Sequence, residues 1–220
     1  FSPYNVNYIP LLFFSLNFVN NTLYYIHDPM CSWCWAFKPT WDKVKKALLG
    51  QVEVIYLLGG LAPDSNEPMP IETREYVKGN WKRIQEMIPD TRFNYDFWTS
   101  SEPKRSTYPA CRAVISAKQQ HPDFENLMIC SIQKSYYLEA QNPSNDDVLI
   151  NIAENLGLNI EKFKMDLKSS QINEILLDEI KLTRSMDINS MPSLAMQVNG
   201  TLKVIDIDYL DANYIIKQII

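Results

Sequence analysis

Histidine is nearly absent: His27 and His121 are the only two in 220 residues. Zinc takes four ligands, commonly as two closely spaced pairs or a pair plus histidines, so a metal here would have few partners to draw on. Cysteine is also scarce. Four residues are too few for a disulfide framework in a chain of this length. No glycine-rich run has the spacing of a phosphate-binding loop, so no cofactor is expected. Long single-sign charge runs are missing and the formal net charge is -5, which argues against nucleic acid as the main partner, because phosphate binding needs clustered Lys and Arg. No apolar run approaches the roughly 20 residues of a membrane-spanning helix. There is no internal repeat and no low-complexity segment.

What is present is a chain with 46% hydrophobic and 21% charged residues, enough apolar material for a sizeable core. Its most informative feature is Cys31-Ser32-Trp33-Cys34. This Cys-x-x-Cys pair follows the apolar run 23–26 and opens the helix-like stretch 35–49. Thiol-disulfide exchange uses that arrangement: one thiolate attacks a partner disulfide, and a second thiol about one turn on resolves the mixed disulfide. At a helix start, backbone N–H groups and the helix dipole favour negative charge on the first sulfur. Cys31 is therefore the expected nucleophile, being more exposed and nearer the helix N-terminus, and Cys34 the resolving thiol. Half of a zinc site is the strongest competing reading, but Cys111 and Cys130 lie far along the chain and form no second pair. Both fall in amphipathic runs and are read as buried free thiols, with a bridge between them as the alternative. Asp28 and Lys38 flank the pair and could tune a thiolate, although charged residues near a helix start are more often plain surface.

Hydrophobic periodicity orders the elements. Residues 22–27 and 52–58 read as strands around a helix at 32–49, with Pro39 expected to kink it and Gly50 to stop it. This makes a right-handed parallel unit. Helical patterns follow at 71–87, 109–120, 124–140, 146–156, 160–167 and 171–186, with Ser144 and Asn159 as start signals. The aromatic connection 90–102 is expected to be core. A strand at 193–198, the hairpin turn Asn199-Gly200, a strand at 201–207 and a helix at 209–220 complete the chain. The chain begins with Phe1, and residues 9–19 are apolar enough for a leader core but lack a basic flank and a small-x-small cleavage site. Residues 1–21 are expected to be an N-terminal extension that packs on the sheet as an extra strand, and a cytoplasmic location is expected; if 1–20 belong to a leader, the alternative is periplasmic or exported.

The order β-α-β, helical block, β-β-α, with the redox pair at the first helix, resembles an α/β thioredoxin-like fold with a large all-helical insertion, the arrangement of the DsbA-like oxidoreductases. Residues 28–34 (Asp-Pro-Met-Cys-Ser-Trp-Cys), 109–113 (Pro-Ala-Cys-Arg-Ala) and 190–194 (Ser-Met-Pro-Ser-Leu) are similar to the branch described as predicted protein-disulfide isomerases, near the 2-hydroxychromene-2-carboxylate isomerases. The resemblance covers roughly 22–220. It implies a thioredoxin-like unit from 22–65 and 188–220 around an insertion at 66–187. It also implies a cis Pro192 facing the redox pair, with Met191 offering its backbone to substrate and Ser32 and Trp33 lining the contact. Partners would be protein or peptide thiols and disulfides, with glutathione as a further candidate and no metal. A glutathione-dependent isomerase or transferase of the same fold is the second reading, against which the thiol at position 31 argues. A non-catalytic metal-binding or interaction protein is the third. Two departures stand out. Tyr25 occupies the place where relatives often keep a buried acid, so a proton-relay carboxylate would have to come from Asp28 or be absent. The Ser-Trp dipeptide lacks a histidine to stabilise the thiolate, which points to a less extreme oxidant.

Overall fold

The computed structural model describes residues 21–220. The predicted N-terminal extension lies outside the described residues, apart from Asn21. Four strands form one mixed sheet: β1 (Thr22–His27), β2 (Glu53–Leu58), β3 (Ser193–Val198) and β4 (Thr201–Ile205), in the order β2-β1-β3-β4. β1 runs parallel to β2, with Tyr25 beside Tyr56, and antiparallel to β3, with Tyr25 beside Leu194. β1 is central and almost wholly buried, which is why its sequence is apolar on both faces rather than alternating. The β3–β4 turn is Asn199-Gly200, and both residues take positive φ (51° and 79°), the backbone demanded by a two-residue hairpin of right-twisted strands.

One face of the sheet is covered by α1 (Ser32–Ala47) and the short α9 (Ala212–Ile216). Phe37, Trp41 and Val44 of α1 and its C-cap Leu48 recur at helical spacing and pack on Leu23, Tyr25, Leu194 and Met196. Each such large side chain contributes about 1.5–3 kcal/mol by leaving water. α1 runs uninterrupted through Pro39, so the proline does not end it although it has no N–H to give the preceding turn. Lys45 and Lys46 in its last turn complement the helix dipole.

Between β2 and β3 come α2 (Ile71–Met87), α3 (Phe97–Ser100), α4 (Tyr108–Lys118), α5 (Asp123–Tyr137), α6 (Asp146–Asn155), α7 (Ile160–Leu167) and α8 (Ser170–Ser185). Their shared core is centred on Trp81, whose ring lies 4.7 Å from Phe93 and 4.9 Å from Trp98, so the aromatic connection is core as expected. Leu182 and Met186 at the end of α8 reach the second face of the sheet, against Ile26, Leu57 and Ala195. Among the described residues no helix is long and apolar enough to cross a membrane.

Two boundary expectations need correction. The predicted helix over 209–220 is helical only at Ala212–Ile216, because Asp208 Oδ1 accepts the N–H groups of Leu210 and Asp211 and holds a turn there. Ser144 does not start α6. Asn145 is its N-cap, and the Ser144 hydroxyl donates to the Ser106 carbonyl at 2.6 Å. Asn159 does cap α7, accepting the Lys162 N–H at 3.0 Å.

Candidate functional site

Cys31 is the N-cap residue of α1, with extended φ and ψ, and its sulfur accepts the Cys34 N–H at 3.4 Å. The thiol thus does what a serine does at this position, meeting one of the free N–H groups of the first turn. Its S–H donates to the Met191 carbonyl, also at 3.4 Å. Met191-Pro192 is a cis peptide that precedes β3, and sheet pairing of β1 with β3 brings this loop to the start of α1, 160 residues away in sequence. Three of the predicted site residues, Cys31, Cys34 and Met191, therefore meet in one place, with Pro192 beside them.

Both sulfurs are less open than the sequence reading pictured. Cys31 is 5% exposed and Cys34 is 0%, so the expected order holds within a covered site. Burial pushes the Cys34 thiol well up, reinforced by hydrogen bonding and charge from Cys31, while the Asp28 backbone works against the rise. Cys34 is thus poor at losing its proton unaided. Ser32 is buried. Trp33 is partly exposed, with its ring 5.4 Å from Tyr209 and the Arg83 guanidinium 5.9 Å from the ring centre.

Asp28 is not surface. It is fully buried, and its carboxylate accepts the Met30 N–H and the Leu61 N–H at 2.8 Å each, the Thr107 hydroxyl at 2.6 Å and the Cys111 thiol at 3.6 Å. Burial raises the Asp28 carboxyl against the lowering effect of these bonds. Its role is to fix the turn that delivers Cys31, tying it to the β2–α2 loop and to α4. Cys111 is consequently more than a small hydrophobe. Tyr137 adds a second tie, its hydroxyl donating to the Met30 carbonyl at 2.7 Å. Lys38 is half-buried and paired with Asp42 at 2.5 Å. Cys111 and Cys130 are both free thiols, Cys111 buried as expected and Cys130 only partly so. No cluster of three or more potential metal ligands occurs among the described residues.

Sequence reasoning missed Thr107, Tyr137 and Gly59. Gly59 follows β2 directly, and a Cβ there would sit 2.4 Å from the Met191 sulfur, so its bareness makes room for that side chain. In the sequence the two glycines at 59 and 60 mark only the end of the second strand, and the closeness of Gly59 to Met191 is set by the fold.

A family model described as thioredoxin matches residues 24–212. Among curated proteins, the chain is 26% identical over 175 residues to the ClpXP adapter protein SpxH of Halalkalibacterium halodurans, covering 78% of this chain and 56% of that protein. The chain therefore spans little more than half the length of these relatives. Among solved structures it is similar to a protein from Nitrosomonas europaea carrying a provisional protein-disulfide-isomerase name, with TM-score 0.77, 23% identity and coverage of 91% of this chain and 95% of that one. It is also similar to the cytosolic disulfide reductase DsbM from Pseudomonas aeruginosa, with TM-score 0.70, 23% identity and coverage of 84% and 89%. The model match over most of the length, the sheet order and the DsbA-like placement of the helical block agree: this chain belongs to the thioredoxin family.

Proposed function

We propose that this chain is a thiol-disulfide oxidoreductase acting on protein or peptide thiols and disulfides, with Cys31 as nucleophile and Cys34 as resolving thiol. The observation that carries the reading is the Cys31 sulfur at the N-cap of α1, bonded at 3.4 Å to both the Cys34 N–H and the Met191 carbonyl. The free N–H groups of the first helical turn are placed to donate to this sulfur. The Met191 carbonyl marks where an extended partner segment would lie, paired to backbone as an added strand. In the exchange, the Cys31 thiolate forms a bond to one sulfur of the partner disulfide, and the other partner sulfur leaves as a thiolate. The Cys34 thiolate then attacks Cys31, forming the intramolecular disulfide and releasing the reduced partner. Run backwards, the same steps oxidise a dithiol. Asp28 would act by anchoring the turn before Cys31, Trp33 by lining the rim with the buried Ser32 beside it, and Lys38 as a nearby charge paired with Asp42. Glutathione is a fitting small partner, since a solved neighbour, the Pseudomonas reductase, is known in complex with it. The cytoplasm is the proposed compartment, in keeping with the name of that neighbour.

Trapping tests this. Cys34→Ala should accumulate mixed disulfides with a reducible protein partner, and Cys31→Ala should form few. Equal trapping by both variants would overturn the two-step mechanism.

The curated relatives' names favour a second reading, that the fold serves as a ClpXP adapter through a surface rather than through its sulfurs. A Cys31→Ser, Cys34→Ser variant that retained full partner delivery would support it.

A further inference from the structure

The second half of α2 is rich in charge, with Lys78, Lys82, Arg83 and Glu86 in sequence. Only Trp81 and Ile84 of this helix are buried, so its rotation is set by those two side chains. Ile84 packs with Ala36 and Ile88 in a small cluster that Trp33, Phe93 and Tyr209 join. The residue before it is thereby carried to the rim of the redox pair. Arg83 stands there exposed, its guanidinium 5.9 Å from the centre of the Trp33 ring, within the range of a cation–π contact. The same ring meets Tyr209 at 5.4 Å. Lys78 reaches Glu75 on its own helix, whereas the Arg83 side chain makes no ion pair and no hydrogen bond among the described residues. Glu86, one turn on, does not pair with it. The acids that precede and follow the rim are engaged: Asp208 accepts the N–H groups of Leu210 and Asp211, and Asp206 accepts the Tyr214 hydroxyl. Arg83 is not among the groups that shift Cys34 or Tyr209, so its charge is open to whatever approaches the pair from outside.

We propose that Arg83 selects the partner: the redox pair takes disulfides that carry a carboxylate close to the reacting sulfur, and the guanidinium holds that carboxylate at the rim while Cys31 attacks. The inference rests on the oxidoreductase reading above and names the substrate class of that site. A ring contact uses the charge of the guanidinium and leaves its five N–H donors free, and their planar fork matches a carboxylate. The Trp33 contact also restrains a long side chain, so less freedom is lost when a partner binds. The chain as a whole carries a formal net charge of -5 and repels anions at a distance. A bare cation at the mouth reverses that preference locally, where the partner sulfur has to arrive. Arg83 touches the carboxylate and not the reacting sulfurs, so it sets specificity rather than chemistry. The Cys31 thiolate bonds to the partner sulfur beside the carboxylate, the partner S–S bond breaks, and the other sulfur leaves as a thiolate. Cys34 then bonds to Cys31 and releases the first sulfur. The pair gives up two thiol protons to solvent, the two partner thiolates take up two, and the pair is oxidised as the partner is reduced.

Three symmetrical disulfides of different charge test this on the reduced full chain: dithiodiglycolate (dianionic), hydroxyethyl disulfide (neutral) and cystamine (dicationic). Peptide mapping of acid-quenched samples gives the rate at which the Cys31–Cys34 disulfide forms. Each variant is compared with wild type on each disulfide, so intrinsic reactivity cancels. At low ionic strength Arg83→Gln should slow the reaction of dithiodiglycolate by about threefold or more. It should leave hydroxyethyl disulfide unchanged and speed cystamine. Arg83→Glu should enlarge both changes, and Arg83→Lys, which keeps the charge, should retain most of the preference. The differences should shrink in molar salt, where the screening length falls to about 3 Å. Lys46→Gln, in the last turn of α1 at the end away from the pair, removes the same charge and should leave the preference as it is. A fall shared equally by the three disulfides would mean that Arg83 only props Trp33. A wild-type preference in Arg83→Glu, or an equal change in Lys46→Gln, would mean that no local cation selects the partner. Each of these results overturns the proposal and leaves the oxidoreductase reading intact. A wild-type chain that forms no Cys31–Cys34 disulfide with any of the three would overturn that reading itself.

Discussion

The sheet with α1 and α9 and the block of α2 to α8 contribute differently to the same site. The sheet unit supplies both sulfurs that would change bonds, Cys31 at the N-cap of α1 and Cys34 within it, and the Met191 carbonyl beside them from the loop before β3. The helical block supplies none of these. It supplies what holds them: Thr107 and Cys111 of the α4 region on Asp28, and Tyr137 of α5 on Met30. Reactivity sits in one region, while its geometry is set by the other. The lesson is that the block is mechanistically silent in a list of reacting atoms yet decides how those atoms behave.

This contrast can be broken, most forcefully at the centre of the block. Trp81 is fully buried against six aromatic rings of the described residues, and Trp81→Ala should cost about 3–5 kcal/mol by urea unfolding. The regions can be followed separately by iodoacetamide protection, since Cys111 sits in the block, Cys34 sits in the sheet unit, and both are 0% exposed. Cys111 should lose protection first; simultaneous loss would mean that the two regions open as one.

Next in size is the tie between them. Asp28→Ala leaves the Met30 and Leu61 N–H groups without their buried acceptor and should cost about 2–4 kcal/mol, measured by the same unfolding. Asp28→Asn, which keeps one acceptor oxygen, should cost less. If Cys31 alkylates at an unchanged rate in Asp28→Ala, the tie does not set the geometry of the pair.

A smaller effect belongs to the sheet unit alone. His27 is 1% exposed, and neither ring nitrogen has a hydrogen-bond partner among the described residues. Burial lowers it from its ordinary 6.5 to about 3. The unfolded chain takes up a proton as the pH falls through 6.5, whereas the folded protein does so only near 3. Stability from this group is complete above 6.5 and lost progressively below it, by about 2 kcal/mol between pH 6.5 and 5. His27→Phe should flatten that acid slope. Glu179, raised to about 7 by burial despite accepting the Leu58 N–H, works the other way and loses stability as the pH rises from its ordinary range to 7. The difference between wild type and His27→Phe isolates the histidine; an unchanged slope would show that His27 does not control acid stability.

The smallest effect is expected at Lys134, whose bond to Glu139 at 3.1 Å is largely solvent-exposed. Lys134→Ala should change stability by no more than about 0.5 kcal/mol, which sets the baseline for the others.

Local rules made most of the framework legible in the sequence. The apolar run of β1, the Asn199-Gly200 turn, Gly50 after α1 and the 3.6-residue periodicity of the block each act over a few residues, and each landed within a residue or three of its place. The C-terminal helix failed because Asp208 competes for backbone N–H groups more effectively than the apolar periodicity beyond it could show. Within the site, the pair itself was plain, and Met191-Pro192 followed from the resemblance. Asp28 was misjudged because its partners arrive from positions 61, 107 and 111, and no spacing near Asp28 announces them. Tyr137 was invisible for the same reason, as a buried polar group whose meaning comes only from what lies across the interior.

The anchoring of residues 28–31 has a consequence for signalling between oxidised and reduced forms. A segment held at its carboxylate by four donors and at the Met30 carbonyl by a phenol has little freedom to travel when two sulfurs a turn apart join or part. The two redox forms should then present nearly one outline to a binding partner. Discrimination between them falls to the sulfurs and their immediate rim, so a partner that tells the forms apart has to touch the pair itself.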